Sequence, residues 1–189
     1  MLRRALFLLL VPLILGACGV SAGSAAAPAA APAPPLVDAP LLQQWSAWSR
    51  APASERGRCA PDPRFGTDTW FLAAPSGSTT ANWSCDVPAG ASILVVAAWM
   101  SGVALPMCSR EYSEQVGVDG SASLDGTPVA LRWFGPVADL ASRGPRTPAE
   151  HTCALTGLTG PMPAGYHTLI TQYILSGLIG TVTVTIKSS

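Results

Sequence analysis

Two histidines, His151 and His167, and five cysteines, Cys18, Cys59, Cys85, Cys108 and Cys153, have the widest chemical repertoire in this 189-residue chain. Nucleophilic catalysis needs a serine or cysteine beside a histidine that a carboxylate orients. No G-x-S-x-G elbow is present. His167 stands in PAGYHTL, a strand-like stretch in which a histidine is structural or surface-exposed. His151 follows Glu150 in a stretch that reads as solvated loop. Paired carboxylates could hydrolyse a glycosidic bond if they stood about 5–10 Å apart. Asp86, Glu111, Asp119 and Asp125 are available, yet each falls at an apparent turn or loop. Asp125-Gly126 is a two-residue hairpin signal, since that turn needs positive φ, and Asp119-Gly120 reads as another turn. No catalytic residue is assigned on this reading, and no enzyme is expected.

The same residues supply no cofactor site. Cys59, Cys85, Cys108 and Cys153 lack the C-x-x-C pairs and nearby histidines of a zinc centre. Oxygen ligands are not clustered as a calcium loop requires, and no phosphate loop occurs. In an oxidising compartment these four cysteines form two disulfides. Three pairings are open to them; Cys59–Cys85 with Cys108–Cys153 closes two loops of moderate length, each worth about 3 kcal/mol or somewhat more.

Cys18 is left over, and its setting explains it. Arg3 and Arg4 precede an apolar run from Ala5 to Leu15. That is the layout of a secretory signal, and the run is shorter than the roughly 20 residues of a membrane span. Leu15-Gly16-Ala17-Cys18 resembles a bacterial lipobox, which implies diacylglycerol on the Cys18 thiol and cleavage before it, so residues 1–17 are the expected lipoprotein signal peptide. The alternative is soluble secretion after cleavage near Ser24-Ala25-Ala26, which discards Cys18. Residues 18–37 are small, uncharged and proline-studded, a tether that cannot bury a core. The expected address is the bacterial cell envelope, with a palmitate-type lipid anchor and the membrane as a partner.

Residues 38–189 are then one domain. The whole chain has eleven Lys and Arg against eleven Asp and Glu; without Arg3 and Arg4 nine basic side chains face eleven acidic ones, a near-neutral balance that argues against nucleic acid. DAPLLQQWSAWSR places Leu41, Leu42, Trp45 and Trp48 at helical spacing, with Asp38 as cap and Pro40 in the first turn. Beyond it, TDTWFLAA, ASILVVAAWM and SASLDGTPVALRWF read as short strands between Gly and Pro breaks. GTVTVTIKSS alternates, with Val182, Val184 and Ile186 toward a core and Thr181, Thr183, Thr185 and Lys187 toward water. Residues 135–148 read as a loop. The fold class is mainly β: an Ig-like antiparallel β-sandwich of about seven strands with one short N-terminal helix.

Among the tryptophans, Trp70, Trp99 and Trp133 sit in apolar strand patterns and read as core, while Trp45 and Trp48 dock the helix. Trp83 lies in the polar run STTANWSCD and is the candidate ligand-binding residue, since an indole displayed on a β-surface stacks on sugars or partners. Packing over the Cys85 disulfide is the alternative for it.

WSAWS, Cys59, TWFLAA, CDVPAGASILV, ASLDGTPV and PAGYHTL followed by VTVTI occur in this order between Leu41 and Ile186. The series resembles a family of uncharacterised secreted bacterial proteins with paired tryptophans, a WFLAG-like strand, a C-x-VPAG element, a DG-x-P hairpin and a final PG-x-H-T strand pair. The resemblance implies a β-sandwich and carries no catalytic residue across. The functional expectation is a non-enzymatic binding or interaction module acting on an envelope protein, with a cell-wall carbohydrate-binding module as alternative and a hydrolase third.

Overall fold

The computed structural model describes residues 37–52, 57–62, 68–73, 80–138, 150–175 and 177–189. The expected signal peptide over 1–17 and the tether over 18–37 lie outside them, Val37 excepted. All described residues belong to one compact unit, Ala33–Ser189.

Helix α1 spans Ala39–Arg50. Asp38 caps it, its Oδ1 accepting from the Leu41 amide at 2.8 Å, and Pro40 sits in the first turn, where its missing N–H costs nothing. Leu41, Leu42 and Trp45 form its buried face. The Trp45 indole donates to the Leu72 carbonyl at 3.2 Å and meets Trp99 edge-on at 5.9 Å, so a large apolar ring is buried with its polar atom satisfied.

Ten strands follow among the described residues: β1 Cys59–Pro61, β2 Thr69–Leu72, β3 Thr80–Val87, β4 Ser92–Val103, β5 Asp119–Leu124, β6 Thr127–Pro128, β7 Arg132–Ala138, β8 His151–Leu158, β9 Gly165–Leu175 and β10 Leu178–Ser188. They form two five-stranded sheets, β1-β2-β4-β8-β7 and β3-β10-β9-β5-β6. The sandwich is predominantly antiparallel, but β2 pairs with β4 and β3 with β10 in parallel. A second helix, α2 over Arg110–Gln115, follows a 3-10 turn at Leu105–Cys108. The Ser109 hydroxyl caps α2 by accepting from the Tyr112 amide at 3.0 Å.

Two cores result. One lies between the sheets, where Ile93 and Val95 of the first meet Leu169, Val184 and Ile186 of the second. The other lies where α1 covers the first sheet's outer face, with Leu42 and Trp45 on Phe71, Leu94 and Val96. β4 is an unbroken apolar run because it is covered on both faces, whereas β10 alternates because only one of its faces is covered. The sheets approach closely at Gly120, where a Cβ would stand 2.9 Å from that of Ala97.

Both disulfides are formed, Cys59 to Cys85 and Cys108 to Cys153. The first joins the edge strand β1 to the edge strand β3 and so ties the two sheets together on one flank. The second fastens the 3-10 turn, and with it α2, to β8. Two disulfides place the domain in an oxidising compartment. No helix among the described residues is long and apolar enough to cross a membrane.

Several local expectations are corrected. Asp119 and Gly120 open strand β5, and the chain reverses just before them at Val116-Gly117. Residues 135–138 are strand, because β7 continues to Ala138 against β8; residues 139–148 of the expected loop lie outside the described residues. His151 is the first residue of β8, half-buried, not part of a solvated loop. Asp86 points outward from β3 and is not in a turn. Trp133 is half-buried and belongs to neither core, whereas Trp70 and Trp99, also half-buried, pack against the inter-sheet and helix-side cores as expected.

Candidate functional site

The hairpin between β5 and β6 builds the tightest polar cluster. Asp125 and Gly126 take φ of +50° and +78°, the backbone that favours Asp-Gly in a two-residue turn. The Asp125 amide donates to the Thr168 carbonyl at 2.9 Å, and Asp125 Oδ1 accepts from the Thr168 amide at 2.7 Å. This clips the turn to β9 and brings Oδ2 within 2.7 Å of His167 Nδ1. On its other side His167 Nε2 lies 2.9 Å from the Pro163 carbonyl.

The acceptors decide the protonation. A carbonyl oxygen only accepts, so Nε2 carries its proton; an ionised carboxylate only accepts, so Nδ1 carries one too. Both neighbours therefore favour the imidazolium form of His167 over the neutral ring. The Asp125 bond, then the Pro163 carbonyl, raise its pKa above the ordinary 6.5. The His167 bond, then the Thr168 amide, hold the Asp125 carboxyl below its ordinary range. An imidazolium with both N–H groups engaged has no lone pair to take a proton from a nucleophile. The cluster fastens a turn, and its geometry is not that of a general base.

A cavity of ligand size, about 830 Å³, lies elsewhere, at the corner where α2 leads into β5 and β7 begins. Its walls mix charge and apolar surface: Arg110, Glu114, Asp119 and Arg132 with Trp133 and Leu155. Arg110 Nε donates to Glu114 at 2.7 Å across one turn of α2, and this bond raises the already high guanidinium pKa. Asp119 accepts from the Gly120 amide at 2.7 Å. The Trp133 indole donates to the Cys108 carbonyl at 3.2 Å, so the disulfide that anchors the 3-10 turn also orients this ring. No histidine or cysteine lines the cleft. Chemically it offers two guanidinium groups, two carboxylates and an indole, suited to hydrogen bonding and stacking.

Trp83 is not in this cleft. It occupies an inward position of β3, level with Val184 of β10, and packs on the inter-sheet core beside Cys85. The Arg58 guanidinium lies over its ring, 5.8 Å from the centroid. Its Nε1 is buried without a hydrogen-bond partner. Tyr166 points the other way, outward from β9 opposite Lys187, so the two rings share no surface. His151 and His167 are likewise apart: one begins β8 in the first sheet and the other sits in β9 of the second.

The cleft was not legible residue by residue. Ser109 ahead of REYSEQ is a cap signature that marks α2 and hence Arg110 and Glu114. Nothing local in the sequence brings Arg132 and Trp133 beside them; the Cys108–Cys153 bond and the β7–β8 pairing do. Among the described residues no group of three or more His, Cys, Asp or Glu could hold a metal ion.

No family model matches the chain, and no curated protein does. Two solved structures overlay on part of it. A chain from the complex of PbICP-C with falcipain-2 is 8% identical, with 65% of this chain and 99% of that one covered at a TM-score of 0.34. Amebosin, solved in solution, is 13% identical, with 60% and 100% covered at a TM-score of 0.30. Likenesses this distant carry no functional argument. The class that stands is a disulfide-bonded β-sandwich with a helix covering one sheet.

Proposed function

We propose that this protein is a non-enzymatic binding module of the bacterial cell envelope, anchored by lipid on Cys18. It meets an envelope protein with the outer face of the sheet β3-β10-β9-β5-β6. The observation that carries this reading is the chemistry of that face. Asn82 and Ser84 of β3, Thr183 and Thr185 of β10, and Thr168 and Ile170 of β9 lie side by side across three strands. These are short or β-branched side chains, which lose little rotamer freedom when covered. Charge lies toward the ends of the face, where Lys187 stands beside Asp86 and Asp119 opposite Ile174, so covering the middle of β3, β10 and β9 desolvates no ion. The family resemblance in the sequence agrees with a β-sandwich of this kind and adds no activity.

The test is a photo-crosslinking residue placed at Thr183 in the native host, with one at Thr127 as control. The same envelope protein recovered repeatedly from Thr183 and not from Thr127, and lost in Thr185→Arg, supports the reading. A chain that captures no protein and fractionates with the cell wall overturns it.

That second result leads to the alternative, a cell-wall glycan. The cleft beside α2 favours it, because Trp133 sits among Arg110, Glu114, Asp119 and Arg132, groups that bond vicinal hydroxyls. Titration of wall fragments followed by tryptophan fluorescence, with Arg132→Ala as the control, measures this directly. A hydrolase has the least support, since no histidine lines the cleft and both ring nitrogens of His167 are engaged by Asp125 and Pro163.

A further inference from the structure

The hairpin joining β9 and β10 ends in an apolar tip. Ile174 pairs with Ile179, and Leu175 with Leu178, across a turn in which Gly177 takes a φ of +84°. Leu178 and Ile179 are 63% and 66% exposed, and Ile174 and Leu175 are each more than a third exposed. None of the four belongs to either core. No Asp, Glu, Lys or Arg occurs between His167 and Ile186, and the carboxylate nearest the tip, Asp119 of β5, stands opposite Ile174 at the edge of the cleft. Successive strand residues face opposite ways, so Ile174 and Ile179 lie on one face of the hairpin end and Leu175 and Leu178 on the other. Soluble proteins scatter exposed aliphatic residues singly; a hairpin end that is apolar on both faces marks an interaction.

The composition of the tip separates the two kinds of partner. Protein hot spots are rich in Trp, Tyr and Arg, which give directional contacts. Leu175, Leu178 and Ile179 are none of these; they are aliphatic side chains that enter the acyl boundary of a bilayer with no polar group of their own to desolvate. The chain supplies the bilayer as well. About 20 residues separate Cys18 from Asp38. A chain of about 20 residues spans at most about 70 Å, so a lipid on Cys18 keeps the domain at high local concentration near the membrane surface.

We propose that the β9–β10 tip inserts into the membrane interface as a second attachment point. This rests on the lipid-anchor reading. With the tip down, β9 and β10 stand upright on the membrane and the open face of their sheet looks sideways along the envelope, where a membrane-held partner can meet it. A lipid on Cys18 supplies one attachment point; the tip supplies a second and with it an orientation.

The experiment uses the mature chain from Cys18, coupled through that thiol to a maleimide lipid in phosphatidylethanolamine–phosphatidylglycerol vesicles. Attachment is then independent of whether the cell lipidates Cys18, which the mass of the native protein reports separately. Leu178→Trp serves as the depth probe, read as a difference from wild type, with Thr127→Trp as control. Dibrominated acyl chains should quench the Leu178→Trp emission severalfold more than the Thr127→Trp emission and shift it to the blue. Adding Ile179→Asp should abolish both effects while the far-ultraviolet circular dichroism stays that of wild type. Emission from Leu178→Trp that remains unquenched in the folded, vesicle-bound chain overturns the proposal, whatever the native mass shows.

Discussion

Replacing Asp125 tests whether the ion pair at the β5–β6 turn is the chief pH-dependent element of the domain. Asp125→Ala removes two bonds, Oδ2 to His167 and Oδ1 to the Thr168 amide, and leaves alanine at a φ of +50°. A bond to a charged group contributes about 1.5–3 kcal/mol and a neutral one about 1. Asp125 is 49% exposed, so the charged bond belongs at or below the low end through solvent screening. The left-handed backbone adds about 1 kcal/mol for a residue other than Gly, Asn or Asp. The sum is a loss of about 3 kcal/mol. Asp125→Asn isolates the charge: its carbonyl still accepts from Thr168, asparagine tolerates the turn, and its NH₂ can donate to Nδ1 of a neutral His167. That variant should cost about 1 kcal/mol where His167 is charged and close to nothing where it is neutral.

The direction of the pH effect follows from the two shifts. His167 is raised above 6.5 in the folded state, so its contribution is complete below 6.5 and is lost as pH rises through the folded value. Asp125 is lowered below 3.8, so its contribution is present above 3.8 and is lost as pH falls through the folded value. The pair therefore stabilises most between those limits. Urea unfolding without reductant, followed by tryptophan fluorescence at mildly acidic and mildly alkaline pH, reads both effects. Wild type should lose stability toward alkaline pH, and Asp125→Asn should be flat over the same range. An Asp125→Asn protein with the wild-type slope would falsify the assignment of His167 as the titrating group.

Two further perturbations test the frame of the sandwich. The Cys59–Cys85 bond closes a separation of 26 residues, so the double variant Cys59→Ser, Cys85→Ser should lose about 3.5 kcal/mol by loop entropy, measured as a lower urea midpoint; an unchanged midpoint would mean that the bond does not constrain the unfolded chain. Gly120→Ala would place its Cβ 2.8 Å from the Gln172 carbonyl and 2.9 Å from Ala97, so it should cost about 1–3 kcal/mol by forcing the sheets apart, whereas Gly160→Ala, with open space around it, should cost little; equal midpoints for the two variants would refute the close approach.

Elements with a strong local code were legible in the chain. The Asp38 cap, Pro40 and the Leu41, Leu42, Trp45 face specify α1, because capping and helical periodicity are properties of neighbours in sequence. Val182, Val184 and Ile186 mark the buried side of β10, because a strand covered on one face must alternate. Asp125-Gly126 marks its turn through the backbone it tolerates. The sequence alone also fixes the presence of five cysteines and the leader-like first residues, which point to export. Where neighbours do not carry the information, reading the chain failed. Asp119-Gly120 has turn composition but lies in β5, because pairing with β9 and the close approach of Ala97 outweigh local preference. The parallel pairing of β3 with β10 joins segments about 100 residues apart, and no local pattern encodes it. Only the tertiary structure decided that Asp125 reaches His167, that Trp83 turns inward under Arg58, and that Arg132 and Trp133 meet α2 in one cleft. Each is a contact between residues distant in the chain, set by strand order and disulfides rather than by the residue types alone.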